Sequence, residues 1–144
     1  MQKELILQEF ENCKKAVILL KASIKKFKPY KTGKIYTADE LEYYDSLSFR
    51  FEKGVEILLS FFKGFEIFVY AKTSDTLRDM LLIMQKLNFI DNIDFWFESR
   101  LLRNRIAHTY ITEELKDIYN EIFKKSQTIF ETLDKIEGYL IKIT

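Results

Sequence analysis

The chain has 144 residues, 47% of them hydrophobic, which is enough for the core of one globular domain. Its formal net charge of +1 argues against a nucleic-acid binder that depends on a strongly basic surface overall. The single cysteine excludes an intramolecular disulfide, and the single histidine excludes a multi-histidine metal site within one chain. With 4 glycines and 1 proline, the composition favours a few long helices over many short strands.

The charges are unevenly distributed along the chain. Residues 1–34 contain nine lysines and three glutamates, a balance of +6, so that residues 35–144 carry a balance of −5. A basic N-terminal helix beside a more acidic body would suit an anionic partner, although a solvated lysine face is the commoner meaning of such a pattern. The N-terminus has no signal-peptide pattern, and no apolar run is long enough to span a bilayer, so we expect a soluble, cytoplasmic protein with no membrane association.

The first two helices are predicted from apolar residues at helical spacing. A stripe over residues 2–28 predicts a helix that ends at Pro29, with Cys13 as a buried core thiol. Thr37 and Glu40 form a capping-box pattern, which predicts a second helix of about thirty residues starting near Ala38. This helix has two apolar stripes side by side, so it is central or is partly covered by another subunit. Its two glycines, Gly54 and Gly64, would let another helix approach closely.

Three further helices complete the prediction. Thr73 or Ser74 would cap a helix that runs to about Leu87, and Asp91 or Asn92 would cap the next. Thr112, followed by two glutamates, starts the last helix. With no linker or repeat between these pieces, the sequence predicts an all-α fold, an antiparallel up-and-down bundle of four to five helices in one domain over residues 1–144.

The segment SRLLRNRIAHTY, residues 99–110, contains the chemistry that the rest of the chain lacks. The motifs GxSxG, GxGxxG, HExxH and the P-loop are absent, and no carboxylate pair is singled out as an acid–base dyad. Histidine has an ordinary pKa of about 6.5, which suits proton transfer, and arginine matches phosphate oxygens. Together they are a minimal set for cleaving RNA, because the ribose 2′-OH supplies the nucleophile and no metal or other cofactor is needed.

Helical geometry restricts that hypothesis. Arg100, Asn104 and His108 are spaced four residues apart and span roughly 80° of one helix face, whereas Arg103 and His108 are about 140° apart on a straight helix. Arg103 and His108 converge only if the helix ends or bends near Ala107, or if a second chain supplies one of them. A purely structural reading also remains, since cations near a helix C-terminus interact favourably with its dipole by about 0.3–1 kcal/mol.

The segment RNRIAHTY, residues 103–110, resembles the R-x4-H-x-Y signature of the HEPN superfamily in its HepT-like branch, including the Asn after the Arg. Residues 45–62 resemble the second-helix segment of the branch described as nucleotidyltransferase substrate-binding proteins. Residues 76–91 and the surroundings of Trp96 resemble the segment that follows. The resemblance covers roughly residues 40–120.

The resemblance implies a helical bundle that forms a twofold homodimer and a toxin–antitoxin pair with a minimal nucleotidyltransferase. Active members are metal-independent RNases whose motifs meet across the dimer interface. Arg103 would then hold the scissile phosphate, and His108 would move protons. Asn104 would orient either the phosphate or His108. Tyr110 would receive AMP from the partner, which blocks the site; the alternative for Tyr110 is a capping or packing role.

Four other points stay open in the sequence. Arg100 lies on the Asn104/His108 face and is the candidate for an auxiliary phosphate contact, whereas Arg105 points elsewhere and should form a surface ion pair. Arg50 and Glu52 are either buried polar groups satisfied across the bundle or members of the site. An older description of the family implies a second function, a non-catalytic subunit that binds a nucleotidyltransferase and presents its substrate. A third reading is a purely structural dimer module.

Overall fold

The computed structural model describes residues 2–144, which form five α-helices and no strand. The helices are α1 (Lys3–Lys25), α2 (Ala38–Tyr70), α3 (Leu77–Lys86), α4 (Ile93–His108) and α5 (Thr112–Ile143). The predicted all-helical, single-domain fold is therefore confirmed. None of the helices in residues 2–144 is long and apolar enough to cross a membrane.

The four long helices alternate in direction. Phe10 near the start of α1 packs on Phe61 near the end of α2, while Ser23 near the end of α1 bonds Arg50 in the first half of α2. These contacts make α1 and α2 antiparallel. Helix α4 is antiparallel to α2, as the pairs Glu52–Arg103 and Glu56–Arg100 show. It is also antiparallel to α5, as the pairs Arg105–Glu121 and Glu98–Lys125 show. Helix α5 is parallel to α2, as the pairs Tyr44–Tyr119 and Phe65–Tyr139 show.

Helix α2 is the centre of the bundle, because it contacts each of the other four helices. Its start is the predicted capping box: the Thr37 hydroxyl accepts from the Glu40 N–H at 3.2 Å, and the Glu40 carboxylate accepts from the Thr37 N–H at 3.1 Å. Most of both apolar stripes is buried, and α1, α4 and α5 of the same chain provide the cover. A second subunit is therefore not needed to explain the two-sided apolar character of α2.

The two glycines of α2 differ in what they permit. A Cβ at Gly64 would collide with the carboxylate of Glu9 on α1, so glycine there leaves room for the end of a side chain from the neighbouring helix. A Cβ at Gly54 would lie 3.7 Å from Leu20 Cδ2, which is an ordinary contact. The prediction is wrong for Gly54, where the backbone does not require glycine.

Two helix ends lie elsewhere than predicted. Helix α1 ends at Lys25 rather than at residue 28, because the N–H groups of Lys26 and Phe27 turn back to carbonyls three residues earlier and tighten the last turn. Helix α3 is capped by Thr76, whose hydroxyl accepts from the Asp79 N–H at 3.1 Å, and not by Thr73 or Ser74. Ser74 instead donates its hydroxyl to the buried carboxylate of Glu66 at 2.7 Å. This bond joins residues eight positions apart, from the end of α2 to the connection before α3, and no capping pattern predicts it.

Candidate functional site

The last turns of α4 carry the predicted site residues. The helix is regular to His108, and Thr109 takes an extended conformation with φ −99° and ψ 123°. The Thr109 hydroxyl donates to the carbonyl of Arg105, which closes the final turn. Because the helix does not bend at Ala107, Arg103 and His108 remain about 140° apart around its axis. One chain alone therefore does not bring these two residues onto a common face.

The three arginines of the segment form ion pairs with two different helices. Arg103 Nη1 lies 3.4 Å from Glu52 Oε1 and Arg100 Nε lies 3.2 Å from Glu56 Oε1, so both side chains lie along the edge of α2. Arg105 Nη1 lies 2.7 Å from Glu121 on α5, which confirms the surface ion pair predicted for it. About half of each arginine side chain is exposed, so these pairs contribute about 0–1 kcal/mol each and leave the guanidinium groups accessible.

The carboxylates on α2 are partners that sequence reasoning found only in part. Glu52 was one of two open candidates in its segment, and Glu56 was missed. The available signal is spacing, since residues 52 and 56 lie on one face of α2 and oppose arginines three residues apart on α4. Arg50 belongs to the other side of α2: it donates to Ser23 Oγ at 2.8 Å and to the Leu19 carbonyl at 3.2 Å, both on α1. Arg50 is thus a polar group satisfied across the bundle, away from the arginines of α4.

The three remaining candidates are open to solvent. Asn104, His108 and Tyr110 are exposed, and no side-chain hydrogen bond or ion pair links any of them to another residue in the range 2–144. Tyr110 is 87% exposed, which leaves it no packing role within the chain. The amide, the imidazole and the phenol are therefore all free to contact a ligand or another chain.

Large apolar side chains are exposed near these polar groups in the chain and on the facing helix α2. Leu101, Tyr110 and Ile111 flank the arginine–histidine segment, and Phe49 lies one turn before Glu52 on α2. We call these four residues the apolar rim. Each is between 59% and 87% exposed. Exposed apolar residues that gather around polar groups are typical of interaction surfaces.

Other common reactive groups do not add to this site. Cys13 is fully buried in the core, where its thiol lies 3.6 Å from the Ile57 carbonyl. Burial, with a smaller effect of the nearby Glu9 carboxylate, raises the pKa of the Cys13 thiol to about 12, so that it stays protonated and unreactive. In the part of the chain that the structure describes, no three His, Cys, Asp or Glu side chains are grouped closely enough to hold a metal ion.

Comparison of the sequence with models of known protein families and with curated protein sequences finds no match.

Proposed function

We propose that the chain is a HepT-like toxin of the HEPN superfamily, a metal-independent endoribonuclease that is active as a twofold dimer and is neutralised by a minimal nucleotidyltransferase. One observation carries the proposal: the Arg and His of the R-x4-H-x-Y motif are exposed in the last turns of α4, its Tyr is exposed just after the helix, and exposed apolar residues stand beside them in the chain. A motif that served only the core would be buried, and one that served only the helix dipole would not need these apolar neighbours.

A second copy of the chain would complete the site. Since α4 continues without a bend to His108, Arg103 and His108 of one chain diverge by about 140°. A twofold axis near the apolar rim would set Arg103 of one chain against His108 of the other, and would bury Leu101 and Ile111 in the interface, with the Tyr110 hydroxyl left open at its edge. The same contact would generate two equivalent Arg–His pairs.

The proposed reaction is transesterification of RNA. The ribose 2′-oxygen attacks phosphorus, the bond from phosphorus to the 5′-oxygen breaks, and the products are a 2′,3′-cyclic phosphate and a 5′-hydroxyl. His108 accepts the proton of the 2′-OH, and the departing 5′-oxygen takes a proton from solvent. Arg103 stabilises the charge that develops on the phosphoryl oxygens, and Asn104 orients the phosphate or the imidazole.

Binding of the scissile phosphate would require Arg103 to exchange one partner for another. Its contact with Glu52 is long, 3.4 Å, and uses one guanidinium nitrogen. A phosphate offers two oxygens to the planar guanidinium and forms a stronger, bidentate pair. Arg100 would contact a neighbouring phosphate after the same exchange with Glu56.

Tyr110 is the proposed site of control by the partner. Its exposed phenol oxygen would attack the α-phosphorus of ATP on the nucleotidyltransferase, with release of pyrophosphate. The attached AMP would place a phosphate two residues from His108 and obstruct the dimer site. Intact mass of the chain co-expressed with the partner should show AMP addition, and Tyr110→Phe should abolish it.

The ion pairs with α2 favour a second function, that of a non-catalytic subunit. Because Glu52 and Glu56 already neutralise Arg103 and Arg100, the same surface could serve a non-catalytic subunit that presents a substrate to the nucleotidyltransferase. The decisive experiment is RNA cleavage by the purified wild type in EDTA, with His108→Ala as the inactive control. Equal cleavage by both proteins contradicts the ribonuclease proposal. No cleavage, together with transferase activity that requires this chain, supports the second function.

A further inference from the structure

A large cavity lies at the end of the bundle where α1 passes into α2. Its volume is about 890 Å³, and it is lined by the segment that follows α1, residues 26–36, and by the first turns of α2. Four lysines line it: Lys26, Lys28, Lys31 and Lys34. A second cavity of about 700 Å³ adjoins it, shares Lys31 and Lys34, and adds Lys116 of α5. We call the first of these the lysine–tyrosine cavity.

The positive charge of the lysine–tyrosine cavity is only partly neutralised. Lys34 forms an ion pair with Glu40 at 2.6 Å. That hydrogen bond, with the backbone N–H of Thr37, lowers the pKa of Glu40 to about 2, so this pair is charged and mutually satisfied near neutral pH. Lys26, Lys28 and Lys31 form no ion pair with any carboxylate of residues 2–144. Besides Glu40, the one acidic residue that lines the cavity is Asp39.

Tyrosines fix the backbone at two of these lysines. The Tyr44 hydroxyl donates to the Lys28 carbonyl at 2.8 Å, and the Lys31 N–H donates to the Tyr36 hydroxyl at 2.8 Å. Tyr36 stacks on the buried ring of Tyr30, with centroids 4.7 Å apart. The loop backbone is thus ordered before any ligand binds, which lowers the entropy lost on binding.

Aromatic rings also supply the apolar wall of the cavity. The rings of Phe27 and Tyr43 are partly exposed and line it. Phe27 stacks on Phe123 at 4.4 Å, and the Tyr43 hydroxyl is anchored to the Ser23 carbonyl at 2.7 Å. Fixed aromatic rings beside unpaired lysines are the arrangement with which proteins bind single-stranded nucleic acid, because bases stack on the rings while phosphates contact the cations.

The cavity lies at the same end of the bundle as the candidate site. Tyr119 packs on Tyr30 and Tyr44 beside the cavity, and it stands seven residues, roughly 10 Å, along α5 from the first residue of that helix. Helix α5 begins four residues after His108. A strand that crosses the α4–α5 connection can therefore contact both regions.

We propose that the lysine–tyrosine cavity is a binding subsite for a single-stranded segment of the RNA substrate, with phosphates on Lys26, Lys28 and Lys31 and a base against Phe27 and Tyr43. This inference rests on the proposed ribonuclease function for the identity of the strand. It gives a role to the basic balance of residues 1–34, which the dimer site does not use.

The test measures binding of a fluorescent 12-nucleotide single-stranded RNA to the full chain in a His108→Ala background, so that cleavage does not interfere. Lys26→Ala/Lys28→Ala/Lys31→Ala should weaken binding about tenfold or more, and should reduce the slope of log affinity against log salt by about 2, since three phosphate contacts are lost. The matched control is Lys72→Ala/Lys86→Ala/Lys142→Ala, which removes three exposed lysines at the other end of the bundle and should change the affinity less than twofold.

Two further arms test the aromatic part and the choice of ligand. Phe27→Leu keeps an apolar side chain but removes the stacking surface, and should weaken binding about fivefold or more while thermal unfolding shows that the chain is folded. Duplex RNA should compete poorly, because its bases are already stacked.

The outcomes separate this inference from the proposed function. If wild type does not cleave RNA, and of the two triple variants only Lys26→Ala/Lys28→Ala/Lys31→Ala loses RNA binding, the subsite stands and the ribonuclease proposal fails. If wild type cleaves, and both triple variants bind alike, the subsite is refuted and the ribonuclease proposal stands. Lysine-dependent binding to vesicles containing phosphatidylserine, with none to RNA, would also refute it.

Discussion

The two halves of α4 differ in burial, although they belong to one regular helix. Residues 93–102 bury Phe95, Trp96, Ser99 and Leu102 in the core. Residues 103–108 bury no side chain to that degree, and only the half-buried Ile106 packs against the core. The first half is thus determined by packing against α2 and α5. The second half keeps its arginines, amide and imidazole in solvent, with only long or exposed ion pairs. Packing explains the sequence of the first half, whereas packing does not explain the exposed polar residues of the second half.

Trp96→Ala should produce the largest loss of stability in α4. Its ring is fully buried and packs edge-on against Phe62, with centroids 5.1 Å apart. The resulting cavity should lower the free energy of unfolding by about 3–5 kcal/mol, measured by urea denaturation. Trp96→Phe is the matched control and should cost less, because the buried Nε1 has no hydrogen-bond partner in residues 2–144. A small loss for Trp96→Ala would contradict the packing account.

Adjacent leucines test the boundary between core and surface. Leu102 is fully buried, so Leu102→Ala should lower the free energy of unfolding by about 2–5 kcal/mol. Leu101 is 61% exposed, and Leu101→Ala should change the free energy of unfolding by less than about 0.5 kcal/mol under dilute conditions. The proposed dimer predicts that, at higher concentration, sedimentation shows association of the wild type and weaker association of Leu101→Ala. Unchanged dimerisation would remove the apolar rim from the interface.

Substitution of two arginines in the second half of α4 should have different effects on RNA cleavage and similar effects on stability. Arg103→Ala and Arg105→Ala each remove one exposed ion pair and should lower the free energy of unfolding by no more than about 1 kcal/mol. RNA cleavage should fall about a hundredfold for Arg103→Ala, because phosphate stabilisation is lost, and less than twofold for Arg105→Ala. An equal loss for both would mean that general basicity matters rather than position.

Local rules were sufficient wherever a feature is encoded by neighbouring residues. The Thr37–Glu40 capping box and the start of α5 at Thr112 follow from patterns within four residues. The prediction failed at Thr73 and Ser74, which are good capping residues by type: the cap of α3 is Thr76, which accepts from the Asp79 N–H, while the Ser74 hydroxyl is used by Glu66.

The candidate site divides in the same way. Spacing alone predicted that Arg103 and His108 diverge and that Arg105 points away from the site. The pairing of Glu52 and Glu56 with the arginines depends on how α2 and α4 are aligned, which joins residues more than forty positions apart. The exposure of the apolar rim likewise depends on the assembled fold, because neighbouring leucines of one helix have opposite environments.

Mixing two inactive variants tests most directly the claim that the site is shared between chains. In a dimer of one Arg103→Ala chain and one His108→Ala chain, one of the two Arg–His pairs is intact. After random exchange half of the dimers are mixed, so about one quarter of wild-type cleavage should return. Cleavage that stays at the level of the separate variants would contradict the shared site.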